Sequence, residues 1–116
     1  MKESNKHITV YLRDIAESLD RIEQYTRNMT INDFDEDLKT KDAVIRCLQV
    51  IGEAVKNIPE DFRIQHPTIP WRMIAAMRNK LIHEYSGINA DMVWVVVDKD
   101  VPELKAKISL LLNSQA

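Results

Sequence analysis

Between positions 5 and 29 the apolar residues recur at alternating steps of four and three: Ile8, Leu12, Ile15, Leu19, Ile22 and, one repeat further on, Met29. That spacing draws one stripe along a helix and leaves charged residues on the remaining faces. The stripe must be buried against other helices, either in its own chain or in a second copy through a coiled coil. Residues 40 to 57 carry the same pattern, with Val44, Leu48, Ile51 and Val55 on the stripe and Ile58 just beyond. Short connections between such helices predict an all-α chain, an antiparallel bundle of four to five helices. The scarcity of glycine agrees: the chain has only two, while Leu, Ile, Ala, Glu and Lys are frequent.

A chain of 116 residues with 45% hydrophobic content suits one domain, residues 1–116, with its own core. The net charge of -2 rules out a strongly basic field over the whole surface. A nucleic-acid partner would have to bind at a local patch. The single cysteine, Cys47, cannot form an internal disulfide and flanks the second stripe, as a small core residue would. No apolar run approaches the roughly 20 residues of a membrane span. The expectation is a cytoplasmic protein with no membrane partner.

Asn5 is a candidate N-cap for the first helix. Residues 30 to 39 read as an acidic connection whose Asp33, Asp35 and Asp37 alternate as in part of a calcium loop. The glycine and the final glutamate of such a loop are missing, so the acids are better placed near the positive end of the next helix. In the second helix Gly52 costs about 1 kcal/mol against alanine. Arg46 and Glu53 are seven apart, opposite the stripe, with Ile45 and Val50 at the margins of their face. That face could line a cleft. Pro59 ends the helix, and Glu60 to His66 has room for one short turn. Pro67 and Pro70 bracket a rigid connection, with Pro70 suited to the first position of a third helix. Gly87 is the stop signal after that helix, beside Ser86 and Asn89.

Residues 90 to 100 contain Val93-Trp94-Val95-Val96-Val97, a β-branched run that favours a strand on propensity alone. A lone strand would have no partner in this chain, so a helix is expected. Asn89 or Asp91 could cap it. Pro102 would kink or restart it, with Asp100 as the new cap. Leu104, Ile108, Leu111 and Leu112 continue the apolar face.

Within the third helix lies Arg78-Asn79-Lys80-Leu81-Ile82-His83-Glu84-Tyr85. Projected at about 100° per residue, Trp71, Ile74, Ala75, Leu81 and Ile82 share one apolar arc. Arg72, Asn79, Lys80 and His83 lie on the other side. Arg78 falls inside the apolar arc, where an arginine is costly unless paired. Arg-x4-His-x-Tyr is the signature of the HEPN domain, and this segment resembles the HepT-like toxins. So do Ile51-Gly52-Glu53-Ala54, Ile69-Pro70-Trp71, Val93-Trp94 and Asp100-Val101-Pro102-Glu103-Leu104, in order along nearly the whole chain. The resemblance implies a helical domain that acts as a ribonuclease toxin on mRNA or tRNA. It implies a homodimer whose motif helices meet at one cleft. It also implies a minimal nucleotidyltransferase antitoxin that transfers AMP from ATP to Tyr85, with no cofactor held by the toxin itself.

The residues support that chemistry on physical grounds. RNA can be cut without a metal when its 2′-hydroxyl attacks the adjacent phosphate. The reaction needs proton transfer and stabilisation of the phosphorane. A histidine such as His83 titrates near neutral pH and serves as acid or base. Arg78 offers a permanent forked donor to phosphate oxygens. Positions 78 and 83 diverge by about 140° on an ideal helix, so one helix presents them poorly to a single phosphate. Two copies meeting at a symmetry axis would bring Arg78 of one toward His83 of the other. Asn79, one turn before His83, could orient the ring or contact phosphate. Tyr85 shares a face with Arg78, and an AMP there would block the cleft with bulk and charge.

Each residue also has a plainer reading. His83 could be a surface residue or a cap, Arg78 could form a structural ion pair with Glu53, and Tyr85 could close the core with its hydroxyl at the rim. Trp71 and Trp94 read as core anchors. His7 and His66 have no companions at ligand spacing. The rival functional reading is a non-catalytic helical module that binds RNA or nucleotide and docks a nucleotidyltransferase.

Overall fold

The computed structural model describes residues 2–76 and 90–115, with side chains for 7–76 and 91–115. Among the described residues every regular element is a helix. In chain order they are α1 (Lys2–Thr26), α2 (Ile31–Glu36), α3 (Leu38–Asn57), α4 (Glu60–Gln65), α5 (helical over residues 71–76) and α6 (Ala90–Val95). A π-helical turn, Val96–Asp100, then leads straight into α7 (Val101–Gln115).

The first stripe is the spine of the core. Ile8, Leu12, Ile15, Leu19 and Ile22 are all buried, and Met29 packs against them part-buried. Burying such side chains stabilises the fold by about 1.5–3 kcal/mol each, before entropy is counted. α1 begins at Lys2, so Asn5 is helical and not a cap. At its other end α1 stops short of position 29. The Thr26 hydroxyl donates to the Ile22 carbonyl at 2.8 Å, and Asn28 adopts a left-handed conformation with φ 63°. Asparagine tolerates that region and commonly terminates helices there.

The acidic connection is more structured than its composition suggests, because it contains α2. Thr30 caps it: the Thr30 hydroxyl accepts from Asp33 N–H at 3.1 Å, and the Asp33 carboxylate accepts from Thr30 N–H at 3.0 Å. Asp37 then caps α3, accepting from Thr40 N–H at 3.0 Å and from the Thr40 hydroxyl at 2.8 Å. Of the three alternating aspartates, Asp37 is therefore a helix cap and Asp33 the reciprocal partner in a capping box. Phe34 of α2 is buried and meets the Trp94 ring of α6 at 5.4 Å, which joins the connection to the far side of the bundle.

α3 packs along α1 through Val44, Leu48, Ile51, Val55 and the following Ile58, all buried, with Cys47 and Ala54 beside them. Gly52 is buried too. Ile45, read from sequence as a margin of the outward face, is buried at 7% exposure.

The run from 90 to 100 is helical, as expected, but not uniformly α. Val93 and Val97 are buried in it and Val101 just beyond it, two steps of four. On an ideal α-helix eight residues overshoot two turns by about 80°. The π-turn takes up the extra residue, with Val101 N–H donating to the Val96 carbonyl. Pro102 lacks an N–H and would crowd the carbonyl four residues back in a tighter helix. Asp100 lies within the π-turn instead of capping a new helix, and α7 starts at Val101, one residue before Pro102. Leu104, Ile108 and Leu111 return to the three-and-four rhythm and are buried. Lys105 of α7 bridges to α1, donating to Glu23 at 2.7 Å and Asp20 at 3.1 Å.

Candidate functional site

α5 is positioned by its first residue. Trp71 is buried and its indole N–H donates to the carbonyls of Arg63, at 3.1 Å, and His66, at 2.9 Å. Those carbonyls lie at the end of α4, so the indole ties α5 to the connection before it. Phe62 fills the same corner, with its ring 4.4 Å from His66 and 6.5 Å from Trp71. Pro70 stands one place earlier than expected: its carbonyl accepts the first helical bond, from Ile74 N–H at 3.1 Å. It therefore occupies the N-cap and Trp71 the first helical position. Ile74 is buried and Arg72 is exposed, as their arc assignments require.

The helix that opens this way leads in sequence toward Arg78, Asn79, His83 and Tyr85. Those four residues, with Leu81, Ile82 and the stop signal at Gly87, lie outside the described residues. Arg46 and Glu53 lie within them. Both are exposed on α3 and line a groove of about 430 Å³ that α1 completes with Tyr11 and Asp14. Gln49 and Val50 stand between them, and Asn57 closes one end by donating to the Glu53 carbonyl at 3.1 Å. Its charged lining residues are Arg46, Asp14 and Glu53. Sequence reasoning found the α3 wall from its seven-residue spacing. It missed Tyr11 and Asp14, since the partner wall depends on how α1 packs across α3.

Among the described residues three groups have displaced titration. Burial pushes the Cys47 thiol up, which makes it a poor nucleophile. The Thr40 backbone N–H, helped by its hydroxyl, holds the Asp37 carboxyl below its ordinary range. Hydrogen bonds to Glu23 and then Asp20 raise the Lys105 ammonium. All three belong to the core, a cap and a surface bridge. His7 is exposed, and the His66 ring packs tilted against Phe62. Among the described residues no group of three or more His, Cys, Asp and Glu side chains is arranged to hold a metal ion. No helix among them is long and apolar enough to cross a membrane.

A family model described as "Ribonuclease HepT-like" matches residues 15–111, a span that encloses positions 78 to 85. This chain belongs to the HepT-like ribonuclease family. It is 51% identical to the "Probable ribonuclease HepT" of Thermococcus cleftensis over 96% of this chain and 98% of that one. It is 48% identical to the "Putative RNase MJ0127" of Methanocaldococcus jannaschii over 84% and 80% of the two chains. A second protein of that organism, "Gamma-glutamylcyclotransferase and putative RNase MJ0434", is 45% identical over 93% of this chain and 49% of its own length. No solved structure matches. The family accounts for an all-α bundle with no strand among the described residues.

Proposed function

We propose that this chain is a metal-independent endoribonuclease, the cytoplasmic toxin of a toxin–antitoxin pair, working as a homodimer. The observation that carries the reading is the family match across residues 15–111 around an intact Arg78-x4-His83-x-Tyr85. His83 takes the proton of an RNA 2′-hydroxyl or returns one to the departing 5′-oxygen. Arg78 supports the charge that gathers on the phosphorane. Asn79 orients the imidazole or the phosphate. The cleaved bond is P–O5′, and the new bond is from O2′ to the same phosphorus, so no metal or cofactor enters the balance. The site is composite, with Arg78 of one copy facing His83 of the other.

The partner is a minimal nucleotidyltransferase that uses ATP. The Tyr85 hydroxyl attacks the α-phosphorus, pyrophosphate leaves and the phenolic proton goes to solvent or base. Tyr85 then carries an AMP whose bulk and negative charge exclude RNA from the cleft. The test is incubation of the purified protein with RNA in EDTA. Wild type is expected to give fragments ending in 2′,3′-cyclic phosphate and His83→Ala none. Intact RNA from wild type, or equal cutting by both, overturns the reading, and RNA binding without products would favour a non-catalytic module. Co-expression with the nucleotidyltransferase is expected to add one or more AMP masses to wild type and none to Tyr85→Phe.

A further inference from the structure

A second groove, built by α4 and the start of α5, encloses about 420 Å³. Arg63, Arg72 and Glu60 supply its charge, and Ile64, Pro67 and Met73 its apolar rim. Two guanidiniums against one carboxylate make this lining net positive. Another groove, lined by Asp100, Glu103 and Lys107, is net negative. In a chain of net charge -2, an RNA backbone needs such a local exception.

Among the described residues the two arginines also lack a paired counter-charge. Arg63 is half-buried, and its Nε is shut off from water with no acceptor. A guanidinium partly withdrawn from water without a counter-charge is costly. The backbone beneath it is firmly held, because the Arg63 carbonyl receives both the Trp71 indole N–H and the His66 backbone N–H. Pro67 and Pro70 stiffen the connection that joins the two arginines. Arg72 lies in the first turn of α5 and precedes Arg78 by six residues in the sequence.

We infer that this groove is an accessory substrate subsite, in which Arg63 and Arg72 hold a backbone phosphate of single-stranded RNA away from the scissile bond. The adjoining nucleoside lies against Ile64 and Met73, which are 69% and 50% exposed. A phosphodiester is the fitting occupant because it offers forked acceptors to both guanidiniums and carries the charge they lack. The inference rests on the ribonuclease reading, but its test does not need cleavage.

Binding of a fluorescently labelled single-stranded RNA is measured by anisotropy across a salt series, with His83→Ala protein so that the RNA stays whole. Adding Arg72→Gln is expected to weaken binding by about tenfold. It should also flatten the dependence of log K on log salt by about 0.7, the share of one phosphate on a single strand. Arg63→Lys keeps the charge but not the fork, and a smaller loss is expected. Because Arg72 is exposed, its replacement does not threaten the fold. Unchanged affinity and slope in the Arg72→Gln protein overturns the subsite. Should that variant instead lose only its capture of the nucleotidyltransferase, the groove is a protein-docking face and the inference falls. Wild type that binds RNA through these arginines yet never cuts it keeps the subsite and defeats the nuclease reading alone.

Discussion

α1 and the arm from α6 to α7 both line one core, but they solve the same problem differently. In α1 the buried apolar residues keep a seven-residue repeat from Ile8 to Ile22, and the helix is α throughout. In the C-terminal arm Val93, Val97 and Val101 advance by eight, and one π-turn takes up the difference before the seven-residue rhythm resumes. A regular stripe tolerates no change of register. An irregular one survives because a wider turn has absorbed the extra residue next to a proline that could not donate a hydrogen bond anyway.

Deleting a residue separates the two regions most sharply. Removing exposed Glu17 from α1 rotates everything after it by about 100° and takes Leu19 and Ile22 off the core. The loss of about 3–6 kcal/mol rivals the whole stability of a small domain, and circular dichroism is expected to report an unfolded chain. Removing exposed Lys99 together with Pro102→Ala leaves steps of four and three, so a folded protein within about 2 kcal/mol of wild type is expected. Equal damage from both deletions would mean that the π-turn is not a register device.

Next in size is the cavity left by Ile15→Ala, which is fully buried in α1. It is expected to cost about 2–5 kcal/mol in urea denaturation, with an unchanged slope. Pro102→Ala alone is expected to shift stability by less than about 1 kcal/mol and to leave the π-turn in place, since the spacing of Val93, Val97 and Val101 still requires it. An all-α arm in that variant, seen by backbone chemical shifts, would make the proline the cause and the spacing incidental.

The smallest effect lies at the junction of α2 and α3. The folded-state pKa of Asp37 is lowered from 3.8 by the Thr40 N–H. The stability it contributes is therefore present above that value and is lost as pH falls below it. Asp37→Asn is expected to flatten the acid side of the denaturant midpoint against pH, and the same slope in both proteins would remove the cap from the account.

The same contrast explains which features were legible in the residues. Stripes at Ile8 to Ile22 and Val44 to Ile58 announce their helices because periodicity is local. The break at Pro59 and the anchoring of Trp71 follow from single residue types. α2 was read as a connection because six residues are too few for a stripe, and its signal was the pair Thr30 and Asp33. The left-handed stop at Asn28 is one tolerant residue among many. The π-turn is hidden because the β-branched propensity and the proline mask an eight-residue advance. At the site, Arg46 and Glu53 were visible as one helix face, while Tyr11 and Asp14 depend on a neighbouring helix. The uncompensated charge of Arg63 was not visible, because burial without a partner is a tertiary fact. The reading of Arg78, Asn79, His83 and Tyr85 comes from their chemistry, their spacing and the family.

The composite site is tested most directly by mixing two inactive proteins. Arg78→Ala and His83→Ala chains are unfolded together, refolded and assayed on RNA in EDTA. A mixed dimer has one site with both residues intact and one with neither, so random pairing is expected to restore about a quarter of wild-type cleavage. A mixture no more active than its components, beside an active wild type refolded in the same way, would contradict a site shared between two copies.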